Sequence, residues 1–112
     1  MKEITWTDFE KVELRVGKIV SVENFSEAIK LSYKLKVDFG PKIGIKKSSA
    51  QITDLYNSND LLNKLVVAVI NFPPKQIGPY ISECLVTGFN NVHGEAALCV
   101  PDKDIPLGTK LL

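Results

Sequence analysis

The sequence predicts an all-β protein, a small antiparallel barrel of five or six short strands. Three observations carry that reading. Apolar residues recur with a period of two in several short runs, as half-buried strands require. Clusters of Gly, Pro, Asn, Asp and Ser separate those runs. Helical signals are confined to one or two short turns. An open sandwich is the alternative packing of the same strands. The chain has 112 residues, the size of one domain. With 45% apolar and 24% charged residues it has an ordinary globular balance. There is no repeat, low-complexity segment or interdomain linker, so residues 1–112 read as a single domain.

Thr7-Asp8-Phe9-Glu10 has the form of a capping box, with Glu three after Thr. A helical turn over Asp8–Val12 is expected to open the domain. Leu14–Val20 alternates as a half-buried strand does, with Gly17 on the outward phase, where a glycine suggests a bulge or bend. Tyr33–Phe39 alternates again: Tyr33, Leu35, Val37 and Phe39 on one face, Lys34, Lys36 and Asp38 on the other. Gly40-Pro41 ends it. Ile43, Ile45 and Lys47 carry a third strand to Ser48-Ser49. Asn57–Asp60 is a turn cluster, with Ser58 or Asn59 as the cap of a short turn through Asn63. Leu65–Ile70, rich in Val and Ile, reads as a strand buried on both faces. Cys84–Phe89 is the fifth strand and Ala96–Val100 the sixth, with a turn at Asn90–Glu95 between them. The tail holds Pro101, Pro106 and Gly108 and reads as irregular.

Several function classes find no support. No apolar run reaches the roughly eighteen residues of a membrane span. Met1–Phe9 lacks an apolar signal-peptide core. The expectation is a soluble, cytoplasmic protein. Cys84 and Cys99 lie in apolar stretches and read as small core residues. With the lone His93 they are too few for a structural metal site, so no cofactor is expected. His93 sits in Asn91-Val92-His93-Gly94, a turn composition. The Gly-rich phosphate loop, the nucleophile elbow and the zinc-protease helix are all missing, and the chain does not read as an enzyme.

Charge is uneven although the net is only +1. Residues 30–47 hold six lysines (Lys30, Lys34, Lys36, Lys42, Lys46, Lys47) against Asp38 alone. This pattern marks either a basic face or the solvated side of a strand. Two polar clusters remain. Lys46-Lys47-Ser48-Ser49-Ala50-Gln51 offers donors to phosphate or to a peptide backbone; a capped turn into Ile52–Tyr56 is the structural alternative. Asn71-Phe72-Pro73-Pro74-Lys75-Gln76 is rigid and short of N–H donors, because each proline holds its predecessor extended. A rim fixed in advance lowers the entropy cost of binding. Alternatively, Phe72 plugs the barrel end.

The order of these pieces resembles a known family. Phe9-x-x-Val12-Glu13-Leu14-Arg15-Val16-Gly17-Lys18-Ile19 and Tyr33-Lys34-Leu35-x-Val37-Asp38-Phe39-Gly40 are similar to the small tRNA-binding domains found alone or at the end of methionyl-tRNA synthetases. Ser48-Ser49-Ala50-Gln51-Ile52, Val66–Asn71, Phe72-Pro73-Pro74-Lys75-Gln76-Ile77 and Ser82-Glu83-x-Leu85-Val86-x-Gly88 resemble the CsaA branch, known as a protein-export chaperone. The resemblance covers nearly the whole chain. It implies an OB-fold, a five-stranded Greek-key barrel, with short terminal extensions. It also implies a homodimer with terminal segments in or near the interface, binding of extended, unfolded or precursor polypeptides without ATP, and in the wider group a capacity for tRNA. Carried onto this chain, the peptide-binding residues are Ser48, Ser49, Ala50, Gln51, Asn71, Phe72, Pro74, Lys75, Ser82 and Glu83. The family's usual Phe-Lys before Ser-Glu is Tyr80-Ile81 here, and Pro79 is atypical. One positive charge is thereby lost from that loop.

Two functional expectations follow, beside a third, an assembly module with no ligand of its own. In a peptide-binding chaperone, Phe72, Ile77, Tyr80 and Ile81 give apolar contact, while Asn71, Gln51, Ser82 and Glu83 hold client backbone or basic side chains. In a tRNA-binding protein, Lys34, Lys36, Lys46, Lys47 and Lys75 supply charge and Tyr33 or Tyr80 the stacking. The modest net charge favours the first.

Overall fold

The computed structural model describes all residues, 1–112. It opens with a short helix, α1 (Trp6–Glu10), and continues as β1 (Leu14–Asn24), β2 (Tyr33–Asp38) and β3 (Ile45–Ala50). A second short helix, α2 (Ser58–Leu61), leads to β4 (Leu65–Val69). The hairpin β5 (Lys75–Ile77) and β6 (Tyr80–Ser82) follows, then β7 (Leu85–Val86), β8 (Gly88–Asn90) and β9 (Ala96–Leu98).

The main sheet runs β3-β2-β1-β4-β7, with every pairing antiparallel. Its two edges nearly meet. The Glu83 N–H donates to the Lys47 carbonyl at 2.7 Å, and the Ser48 hydroxyl donates to the Cys84 carbonyl at 3.0 Å. The result is a nearly closed five-stranded barrel of OB-fold type, as expected. Inside it, Ile19, Leu35, Val37, Phe39, Leu61, Val66 and Ala68 are fully buried members of one apolar cluster. Val67 and Val69, on the opposite phase of β4, are buried as well, so this strand is covered on both faces as its composition predicts.

Five local expectations are corrected. The first helix starts earlier: Thr5 is its N-cap, and the reciprocal box is Thr5 with Asp8 rather than Thr7 with Glu10. Asp8 does the work expected of Glu10. Asn57, not Ser58 or Asn59, caps α2 through a similar box with Asp60, which puts Leu61 into the core. Gly17 faces inward. A Cβ there would lie 2.5 Å from Val37 Cγ1 and 2.7 Å from Phe39 Cε1, so the two core side chains fill the space a side chain would need. The bulge of β1 lies between Ile19 and Ser21 instead. The expected fifth strand is broken at Thr87. Leu85–Val86 pairs with β4, whereas Gly88–Asn90 pairs with β9. Thr87 fixes this change of partner, its N–H and hydroxyl both donating to the Val67 carbonyl at 3.0 and 2.7 Å. Finally, the proline-containing tail is ordered along β1. Gly108 and Leu111 donate to the Val16 and Leu14 carbonyls, and Thr109 accepts from Val16.

No helix is long and apolar enough to cross a membrane.

Candidate binding groove

The hairpin β5–β6 borders a broad concavity. Gly78-Pro79 is its two-residue loop, and Gly78 takes a φ of 55° that suits glycine. The hairpin lies against β3, where the Ser49 N–H donates to the Ser82 hydroxyl at 3.1 Å, and reaches β2, where the Tyr80 hydroxyl donates to the Leu35 carbonyl at 2.9 Å. A groove of about 1030 Å³ runs between the hairpin, the end of β3 and the loop before β2. Its lining mixes apolar groups (Ile29, Ile52, Phe72, Leu85, Val86, Leu98) with polar ones (Ser49, Gln51, Lys75, Ser82, Glu83).

Of the ten residues expected at a peptide site, Ser49, Ala50, Gln51, Phe72, Lys75, Ser82 and Glu83 line this groove. Phe72 is 53% exposed, so it stands at the rim and does not plug the barrel. Pro74 is outside the lining, where Pro73 takes its place. Ser48 is only 1% exposed and spends its hydroxyl on the Cys84 carbonyl. Asn71 is engaged by the terminal segment. Its Oδ1 accepts from the Glu13 N–H at 3.0 Å and its Nδ2 donates to the Lys11 carbonyl at 2.7 Å. One Glu83 carboxylate oxygen is likewise taken, accepting from the Lys47 N–H at 2.9 Å. Ser48 and Asn71 thus build the frame of the groove rather than its surface.

The five lysines expected to form one basic face are divided. The register sets Lys36 opposite Lys47 and Lys34 opposite Ser49, so Lys34, Lys36 and Lys47 share the outer face of the sheet. Lys46 is opposite Val37 and lies on the other phase. Lys75 belongs to the groove. Tyr80 sits over the outer face, with the Lys34 and Lys47 ammonium groups 5.6 and 5.2 Å from its ring and Phe25 edge-on at 5.6 Å. Burial, with a lesser effect of nearby Glu23, pushes the Tyr80 phenol up to about 12. Tyr33 is buried, its hydroxyl donating to the Tyr56 carbonyl at 2.8 Å, and offers no stacking surface.

The loop carrying Ile29 and the β7 floor join the groove without being among the site residues the sequence singles out, as does Phe25 beside Tyr80 on the outer face. None carries a local signal, because only the tertiary fold brings them together. The hairpin did have one: a Gly-Pro pair between Ile77 and Tyr80 is a two-residue hairpin loop.

Cys84 is buried in the core, and desolvation pushes its thiol up to about 11. His93 is exposed in the β8–β9 turn, where its N–H donates to Asn91 Oδ1. No group of three or more His, Cys, Asp or Glu side chains converges as metal ligands would.

With this geometry in view, the likeness to known proteins is specific. The model of the "Putative tRNA binding domain" family matches residues 14–110. The methionine–tRNA ligase of Pyrococcus furiosus is 37% identical over 111 residues, which are 99% of this chain but 15% of the ligase. The chain spans about a seventh of such curated relatives, and the ligases' activity belongs to the whole proteins. Two solved structures match over nearly their entire length. The CsaA chaperone protein of Picrophilus torridus is 51% identical with a TM-score of 0.91, covering 98% of this chain and 100% of that one. The CsaA chaperone of Bacillus anthracis is 40% identical with a TM-score of 0.92, covering 99% and 100%. The fold and its groove define a tRNA-binding-type OB domain. The chain belongs to that family, on its CsaA-type branch.

Proposed function

We propose that the protein is an ATP-independent chaperone that holds extended or precursor polypeptides in the β5–β6 groove and assists their export from the cytoplasm. The observation that carries this reading is Phe72: a large aromatic, half exposed, set at the rim of an apolar groove by two consecutive prolines. Such a rim needs little ordering on binding. Glu83 offers a carboxylate to a basic client side chain, Lys30 and Lys75 in the lining balance Glu27 and Glu83, and a groove open to solvent suits release of clients. Exposed Ile4, Trp6, Leu111 and Leu112 lie on two terminal segments that meet where the Lys110 ammonium donates to the Glu10 carbonyl, and exposed apolar groups of this kind support a homodimer. Two grooves per dimer would add avidity for a long client.

A second reading, tRNA binding, is favoured by one observation. Lys36 and Lys47 are directly opposed on the outer sheet face with Lys34 beside them. Like charges so placed repel unless an anion joins them.

Titration with a labelled basic-apolar peptide and with total tRNA, each at low and moderate salt, separates the readings. The chaperone reading expects peptide binding that survives moderate salt. Tight, salt-sensitive tRNA binding with no peptide response would overturn it. A light-scattering mass of two chains is expected; a mass of one chain contradicts the dimer.

A further inference from the structure

We propose that the polypeptide in the groove binds as an added strand, pairing its main chain with the free edge of β5 at Gln76. The inference rests on the polypeptide reading above and specifies its chemistry. β5 pairs with β6 on one side and with nothing on the other. A two-residue loop is closed by a hydrogen-bonded pair, here Ile77 with Tyr80, and bonded and non-bonded pairs alternate along an antiparallel ladder. Lys75 and Ile77 therefore point their main-chain groups at β6. Gln76 points its N–H and C=O the other way, and no loop or turn of the chain bonds to them. This same edge, Lys75 to Gly78, lines the groove.

The neighbours of β5 limit the pairing. Pro73 and Pro74 have no N–H to offer, and Gly78-Pro79 turns the chain away. The ladder is confined to about three client residues, which makes it weak and tolerant of client sequence. Alternate client side chains would enter the groove above Leu85 and Val86, and the others would face solvent. Recognition through the main chain does not depend on client sequence. It discriminates against client segments that lack N–H groups.

The test uses the full chain and a labelled basic-apolar nonapeptide. At saturation the Gln76 amide should exchange its hydrogen at least about tenfold more slowly, as a newly bonded amide does, while Lys75 and Ile77 are unchanged. Gln76→Pro removes that N–H while leaving the main-chain bonds of the hairpin in place, and should weaken binding about three- to tenfold; Gln76→Ala, which equally loses the side-chain bond from Nε2 to the Gly78 carbonyl, should not. N-methylation of the peptide at alternate positions should abolish binding in one phase only. Binding with no slowing at Gln76 and no phase effect overturns the added strand while leaving the polypeptide reading intact. A peptide that does not bind at all overturns both. The exchange measurement on the native chain decides the matter even if Gln76→Pro misfolds.

Discussion

Glu83 and Lys47 hold each other through two hydrogen bonds. The Glu83 N–H donates to the Lys47 carbonyl at 2.7 Å and the Lys47 N–H donates to the Glu83 carboxylate at 2.9 Å. The pair joins β3 to the segment entering β7, where the barrel closes. A bond to an ionised acceptor is stronger than a neutral one. Glu83→Ala should therefore lower the unfolding free energy by about 1–2 kcal/mol, and Glu83→Gln, which keeps an acceptor oxygen, by less. Urea denaturation checks this. Equal stability of Glu83→Ala and the parent chain would mean the carboxylate bond contributes nothing to closing the barrel.

Gly17 has no room for a methyl group. Val37 and Phe39, both buried, stand within 2.7 Å of the position its Cβ would take. Gly17→Ala should destabilise by about 1–3 kcal/mol through overpacking, although alanine alone would favour an ordered chain. Thermal unfolding measures it.

Asn71 couples the rim to the start of the chain. Its amide bridges Glu13 and Lys11, and the Ile70 N–H donates to the Glu13 carbonyl. Asn71→Ala should cost about 1 kcal/mol, because the site is exposed and water replaces the lost partners. Hydrogen exchange should show the Glu13 amide less protected, with the core of β4 unaffected.

Glu13 gives the terminal segments a pH dependence. Hydrogen bonds from Lys110, at 2.7 Å, and then from Arg15, at 2.6 Å, hold its carboxyl below the ordinary value of 4.5. A carboxylate depressed on folding contributes stability that is present above the unfolded value and lost as pH falls through the folded one. Acidification below about 4.5 should thus loosen the C-terminal segment from β1. Melting temperatures followed between pH 6 and 3 should fall less steeply for Glu13→Gln than for the parent chain.

The barrel was legible in the sequence because its signals are local. Tyr33–Asp38 alternates cleanly and Leu65–Val69 is apolar throughout. Misplaced features had two competing local answers. Thr5 and Thr7 both offer a cap, and Gly17 fits an outward bend as readily as an inward contact. The groove was legible in part. Gln51, Phe72, Lys75 and Ser82 line it, and their motifs lie at strand ends that the fold gathers. Ser48 and Asn71 had the right chemistry, but other parts of the chain take up their hydrogen bonds. Only the register divides Lys46 from Lys47, because adjacent strand residues face opposite ways.

The central claim is that polypeptide is held in the groove and not on the lysine face. The most direct test compares Phe72→Ala with Lys36→Ala in their affinity for the same labelled basic-apolar peptide at moderate salt. Phe72 stands on the groove rim, and Lys36 lies on the outer face of β2. Loss of the aromatic contact should weaken binding about tenfold, and Lys36→Ala should leave it within about twofold. The reverse order, with Lys36→Ala weakening peptide binding more than Phe72→Ala, would move the site to the basic face and contradict this account.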